Sequence, residues 1–196
     1  STPDRSYPTL RGHPPLVETG DELDVPAEVA AATPDSGIEM VVPPELDQLF
    51  VVAPLAYYLQ AEVTVEDRMA PLLRAPEVDL ERELEPPPHL ERSASRRLRQ
   101  VFFLDSIVRN AGPFGTTLAE ASILDALGLD EEALYAAASP RRLAAYLEVP
   151  FSAIDHRLPE WHLAMYVSPE PQYVPTLPFL LDRLALIFQP RTSELE

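Results

Sequence analysis

The sequence predicts an α/β or α+β fold, in which two strand-helix-strand units flank a helical insertion and form a small, mostly parallel sheet. Two observations support this prediction. Short apolar runs followed by a Pro-turn and a helix occur near both ends of the chain, and the middle places apolar residues at helical spacing. A length of 196 residues with 46% hydrophobic residues is enough for one full core.

Composition divides the chain into three parts. Residues 1–37 contain six prolines and few large apolar side chains, which predicts a partly extended arm or linker. Residues 38–190 are expected to form a single globular domain, and residues 191–196 a tail. Because the first residue is Ser1 and not Met, we expect the chain to be a segment of a larger protein.

The first strand-helix-strand unit begins at residue 38. The run "IEMVV" predicts a strand, and "PPEL" places prolines and Glu45 at a helix start, where a carboxylate complements the helix dipole. The helix is expected to reach about Gln60 with a kink at Pro54, and "AEVTV" predicts a second strand.

The segment Leu49 to Leu59, "LFVVAPLAYYL", is apolar on more than one side. As a helix it spans about 16 Å, which is too short for a hydrocarbon core of roughly 30 Å. A helix of this kind must be covered on several faces. We therefore expect the rest of the chain to bury it, or one face to contact other domains of the same protein or a second copy of the chain.

The middle of the chain predicts helices. A capping box at Thr117 to Glu120 opens a helix to about Leu127, and "DEEALYAAA" and "SPRRLAAYLEV" predict two shorter ones. The stretch between Glu66 and Pro88 is ambiguous, with a hairpin around "RAPEVDLE" as one interpretation. The long helix predicted over residues 89–112 has an apolar face made of Leu90, Ala94, Leu98, Val101, Phe102 and Val108.

The last part of the chain repeats the pattern of the first. "WHLAMYV" and "LALIF" predict strands, with a short helix at "TLPFLLDRL". The run Val42-Pro43-Pro44-Glu45 aligns with Val167-Ser168-Pro169-Glu170 at an offset of 125 residues, and Pro54 aligns with Pro178 at an offset of 124. Chance is the alternative explanation, because proline and apolar residues are abundant. If both units are real, their strands are expected to lie parallel in one sheet.

One carboxylate follows the first strand of each unit. Ligands of open parallel sheets bind beyond the carboxyl ends of the strands. Those ends carry Glu45 and Glu170. The sequence therefore predicts a ligand-binding crevice that includes both side chains.

The long helix carries a carboxylate on its apolar side. Asp105 falls among the apolar residues, and Arg109 lies four residues later on the same side. A buried carboxylate needs a partner, which an arginine at this spacing supplies. Two interpretations stay open: an internal ion pair that fixes helix packing, or a ligand-binding or catalytic pair. Asp105 and Arg109 therefore join Glu45 and Glu170 as candidate ligand-binding residues, and no catalytic residue is identified.

Metal chemistry has one weak candidate. The segment "DHRLPEWH" brings Asp155, His156, Glu160 and His162 close in sequence, and these side chains can bind a divalent metal. The segment contains a proline and lacks the i, i+4 histidine pair of helical zinc sites, so exposed polar residues are the favoured interpretation. The chain has no cysteine, which excludes disulfides, thiolate metal sites and cysteine nucleophiles. We predict no metal and no cofactor.

The charge balance narrows the function classes. The chain has 32 acidic residues against 15 basic ones, all of them arginine, and a net charge of -17. Self-repulsion on this scale is screened when the Debye length falls to about 3 Å in molar salt. Acidity without lysine therefore predicts a halophilic cytoplasmic protein; an acidic protein from an arginine-rich proteome is the alternative. The charge disfavours nucleic acid and anionic membranes as partners.

The blocks "PPELDQLFVVAPLAYYLQAEV", "RQVFFLDSIVRNAG" and "LPFLLDRLALI" resemble a family of uncharacterised proteins of salt-loving archaea. The resemblance covers residues 38 to about 190. It implies that the chain is part of a longer protein and that Asp105 and Arg109 belong to a recurring pattern. It implies no activity and no cofactor.

The sequence favours a non-catalytic interaction or structural domain of a larger halophilic protein. The main alternative is an enzyme, for example a hydrolase, or a small-molecule-binding domain that uses the carboxylates at the strand ends. A metal-binding module at "DHRLPEWH" is a third possibility.

Overall fold

The structure is a computed structural model that describes residues 16–22, 24–110 and 121–190. The mixed α/β class is confirmed. In chain order the elements are α1 (Ala27–Ala32), β1 (Glu39–Val42), α2 (Leu46–Leu59), β2 (Glu62–Val65), β3 (Leu72–Ala75), β4 (Leu80–Glu83), α3 (Leu90–Asn110), α4 (Ala121–Ala126), α5 (Glu131–Ala136), α6 (Ser139–Glu148), β5 (Ala164–Tyr166), α7 (Leu177–Asp182) and β6 (Leu186–Phe188).

The strands form two sheets. The first has the order β2-β1-β3-β4, with β1 and β2 parallel and β3 antiparallel to both β1 and β4. The second is the parallel pair β5-β6. The expectation of one mostly parallel sheet is therefore wrong. The β3-β4 hairpin, with its short 3-10 turn Pro76–Val78, pairs with the edge of β1 opposite β2, so that edge is closed to the strands of the second unit.

Several local predictions are confirmed. Strands form at "IEMVV" and "AEVTV", and the ambiguous stretch contains the β3-β4 hairpin. Helix α2 continues through Pro54, and Asp130 caps α5 by accepting a 2.9 Å hydrogen bond from the Ala133 N–H. The run "SPRRLAAYLEV" forms α6, whose N-cap is Ala138, the residue before its first serine. The capping box at Thr117 to Glu120 lies outside the described residues.

The arm contains more regular structure than expected. Residues 27–32 form α1, which begins after Pro26 and has no buried residue. The arm joins the domain at Gly37, whose φ of 67° is the left-handed conformation that glycine adopts without strain. Its α-carbon faces the Pro140 ring closely, because a Cβ there would lie 3.1 Å from Pro140 Cγ.

Helix α2 is the central element because the chain covers it on two sides. Val52 and Leu55 pack in the main core with the first sheet and α3, whereas Phe50 and Ala53 pack in a second cluster with the β5-α7-β6 unit. The apolar segment Leu49 to Leu59 is therefore mostly buried within the chain. It does not provide the free surface through which we expected other domains or a second copy to bind.

None of the described helices is both long enough and apolar enough to cross a bilayer.

Candidate functional site

A buried polar cluster forms where α2, α3 and α6 meet. Asp105 on α3 is 5% exposed, and Arg109 one turn later donates from Nη2 to its Oδ2. The Tyr58 hydroxyl of α2 donates to the same oxygen at 2.9 Å. The internal pairing of Asp105 with Arg109 that the helical spacing predicts is therefore present.

Helix α6 supplies the partners of the other carboxylate oxygen. The Tyr146 hydroxyl donates to Asp105 Oδ1 at 3.3 Å, and Arg142 Nε lies 3.8 Å from the same atom. We call Asp105, Arg109, Tyr58, Tyr146 and Arg142 the Asp105 cluster. One carboxylate thus connects three helices, which supports the packing interpretation of the pair.

Two members of the cluster, Tyr146 and Arg109, have shifted pKa values. Burial is the main cause that raises the pKa of Tyr146, and the nearby charge of Asp105 adds to it. Burial disfavours the charged form of Arg109, but the neighbouring Tyr58 and Asp105 outweigh it and raise the pKa of its guanidinium. The Tyr146 hydroxyl is therefore protonated and the arginine charged at neutral pH.

A small pocket lies beside the cluster. Its walls include Ile38, Leu143, Ser139 and the polar groups of Asp105 and Arg142. Its volume of about 20 Å³ gives room for about one water molecule. An organic substrate does not fit, so the cluster in this conformation is not a small-molecule site of ordinary size.

Glu45 and Glu170 both lie outside the Asp105 cluster. They follow strands of different sheets, both side chains are exposed, and neither lines the pocket beside the Asp105 cluster. Each accepts a hydrogen bond from a nearby glutamine, Gln48 at 2.9 Å for Glu45 and Gln172 at 2.7 Å for Glu170. The prediction of a joint site assumed a single sheet, whereas the described residues form two.

The segment "DHRLPEWH" forms two separate local pairs. His156 Nδ1 lies 3.5 Å from Asp155, and His162 Nδ1 lies 4.0 Å from Glu160. All four side chains are largely exposed. Within the described ranges, no group of three or more histidine or carboxylate side chains lies close enough together to hold a metal ion.

The sequence pattern predicts only two of the five members of the Asp105 cluster. Tyr58, Tyr146 and Arg142 lie on other helices, and no local spacing relates them to Asp105. The available signal was a tyrosine within an otherwise apolar helix, because a buried hydroxyl needs a hydrogen-bond partner.

A further missed residue is Gln100 of α3. It is fully buried, and its Nε2 donates to the carbonyl oxygens of Tyr146 at 2.7 Å and Val149 at 2.8 Å. These carbonyls belong to the C-terminal end of α6, where helix carbonyls lack intrahelical partners. Gln100 therefore fixes α6 against α3 beside the Asp105 cluster.

Comparison with known proteins adds no functional assignment. No protein-family model matches the chain, and searches of curated proteins and of solved structures found no significant match.

Proposed function

We propose that this chain is a non-catalytic interaction domain of a larger halophilic cytoplasmic protein. The observation that carries the proposal is an exposed apolar surface on the second unit, the β5 surface, formed by Leu163, Met165, Tyr166, Tyr173 and Phe179. These residues are five of the eleven large apolar residues that are exposed in the described part of the chain. Exposed large apolar side chains that are concentrated in one unit favour an interaction site there.

The buried polar groups support a structural role. The Asp105 carboxylate accepts bonds from its own helix and from two neighbouring helices, so the groups that would bind a ligand already bind each other. The adjacent pocket has room for about one water molecule. This favours a packing function for the cluster over catalysis.

The first test asks whether the domain binds small molecules. Melting is followed in molar KCl with a panel of nucleotides, sugar phosphates, carboxylic acids and divalent cations. We expect no ligand-dependent increase, because the pocket beside the Asp105 cluster is too small for the organic compounds and no described group of side chains is arranged to hold a metal ion. A reproducible increase that disappears in Arg142→Gln would move the function to the small-molecule-binding alternative.

The second test locates the contact surface. A photoreactive amino acid replaces Tyr166, and in a control variant it replaces Glu81, which is exposed on β4. In the full-length protein within cells, we expect defined adducts from position 166 only. Equal adducts from both positions, or none from either, would contradict a specific interaction surface on the second unit.

A further inference from the structure

The two strand-helix-strand units share details of backbone geometry. Each helix is followed within two residues by a residue in the left-handed conformation, Gln60 with φ 55° and Leu184 with φ 49°. The next residue closes the helix in the same way: the Ala61 N–H donates to the carbonyl five residues earlier at 2.9 Å, and the Ala185 N–H does so at 3.0 Å. The units are therefore comparable position by position.

The comparison identifies one edge where they differ. In the first unit β1 pairs with β2 on one side and with the antiparallel strand β3 on the other. In the second unit β5, the counterpart of β1, pairs with β6 and has no second neighbour among the described residues. The second unit thus presents the edge that β3 occupies in the first.

Exposure differs between the counterpart strands. Met40 and Val41 of β1 are 0% exposed, whereas their counterparts in β5, Met165 and Tyr166, are 41% and 70% exposed. Large apolar side chains that are buried in the first unit are thus in contact with solvent in the second.

The backbone of β5 also points toward a missing partner. The Leu163 carbonyl and the Val167 N–H bond to β6, at 3.0 and 2.9 Å. In a parallel pair alternate residues face the same neighbour, so Ala164 and Tyr166 direct their N–H and C=O groups away from β6. These two residues can pair with one further strand.

The acidic surface is thin at this unit. Residues 161–190 contain only two acidic residues and one arginine, although the whole chain carries 32 acidic residues and a net charge of -17. Depletion of charged residues is typical of the core of a protein interface. Two such surfaces repel each other much less than two surfaces that carry the average charge density of the chain.

We propose that the partner of β5 is β5 of a second copy, paired antiparallel about a two-fold axis at Met165. This inference rests on the proposed interaction function and specifies its partner. A two-fold axis produces an antiparallel pair, which is the arrangement of β1 and β3. It places the small Ala164 of each copy opposite the large Tyr166 of the other, and it uses both outward-facing residues of the strand.

The test measures mass in solution by sedimentation and light scattering in molar KCl. We expect wild type at twice the 21.8 kDa mass of the chain. Tyr166→Glu adds a charge at the edge and should weaken the dimer by about tenfold or more, with an unchanged circular dichroism spectrum of the folded chain. The matched control is Val65→Glu on β2, an edge position that is 64% exposed, and it should remain dimeric.

A cysteine test fixes the register, because the chain has no cysteine of its own. Residues on the axis of this pair are about 4.5 Å apart between α-carbons, within the range that a disulfide bridges. Met165→Cys should oxidise to a covalent dimer, and the control Val63→Cys should not.

Two results would overturn the proposed dimer: a monomer at every concentration, or a dimer that survives Tyr166→Glu. Neither result would contradict the proposed interaction function. That function is contradicted by ligand-dependent stabilisation, or by the absence of site-specific adducts at position 166.

Discussion

Asp105 is a carboxylate that two arginines and two tyrosines surround at the junction of three helices. Its side chain is 8% exposed, and those of Arg109 and Arg142 are 18% and 17% exposed. Removing the carboxylate leaves two mostly buried positive charges without their shared partner. Breaking a buried pair in this way costs about 3–5 kcal/mol, far more than the loss of an exposed pair.

We therefore expect Asp105→Ala to lower the free energy of unfolding by about 3 kcal/mol, measured by urea titration in molar KCl. Removing Arg109 as well, as Asp105→Ala with Arg109→Met, should recover part of this loss because one unpaired charge is gone. Additive effects of the two substitutions would contradict a direct interaction between the side chains.

Tyr146 gives the cluster a pH dependence. Its pKa is raised in the folded protein by burial and by Asp105, whereas in the unfolded chain a tyrosine titrates near pH 10. The stabilising effect of a raised pKa is complete below the unfolded value and is lost above it, because only the unfolded chain then releases the proton. Above about pH 10, this residue alone should cost about 1.4 kcal/mol per pH unit.

Tyr146→Phe should accordingly weaken the alkaline loss of stability, measured as the difference in unfolding free energy between pH 9 and pH 11. The control is Tyr173→Phe, at a tyrosine that is 39% exposed. An identical slope in wild type and Tyr146→Phe would show that other groups cause the alkaline loss.

The candidate site was predictable only where its residues are close in sequence. Asp105 and Arg109 follow from an i, i+4 spacing on one helix. Tyr58 and Tyr146 contact Asp105 from 47 and 41 residues away, and these contacts depend on how α2 and α6 pack. Local periodicity contains no information on that packing.

At the scale of elements, α6 depends on a side chain of α3 for its C-terminal end. Helix α6 has ten residues, and Gln100 satisfies two of its terminal carbonyl groups. A short helix is marginal alone and is stabilised mainly by tertiary contacts. Gln100 is therefore expected to be more important for stability than its polar character suggests.

Gln100→Glu tests this role with little change of shape. The carboxylate removes the donor and brings negative charge to the helix end that already carries a partial negative charge. We expect a loss of about 2–3 kcal/mol in unfolding free energy, with faster hydrogen exchange in α6 than in α2. Gln172→Ala on the exposed surface should change stability by less than about 0.5 kcal/mol. A loss below about 1 kcal/mol for Gln100→Glu would contradict the capping role.

The strands and helices themselves were largely predictable, and the sheets were not. β1, α2 and β2 follow from apolar runs and prolines, and the second unit repeats them. Which edge of β1 is used, however, depends on competition between the β3-β4 hairpin and the second unit. The hairpin has the shorter connection, and short connections close with less loss of entropy.

At the scale of the whole molecule, charge is the dominant property. A net charge of -17 destabilises a compact chain in dilute buffer, since exposed charges repel over about 10 Å at 0.1 M salt. The described arginines offset part of this repulsion by pairing with carboxylates. One example is the cross-strand pair of Arg74 with Glu39 at 2.6 Å, in which both side chains are half-buried. Such pairs contribute little individually.

The melting temperature should therefore increase between about 0.1 M and molar KCl, by about 2–4 °C for each kcal/mol of repulsion that salt screens.

A matched variant separates screening from other effects of salt. Glu62→Gln, Glu81→Gln and Asp125→Asn together remove three exposed charges and change the net charge from -17 to -14. This variant should melt higher than wild type in low salt and gain less from KCl. Sucrose stabilises by exclusion from the surface without screening, so it should stabilise both proteins equally. A wild-type melting temperature that is the same in low and molar KCl would contradict the halophilic interpretation.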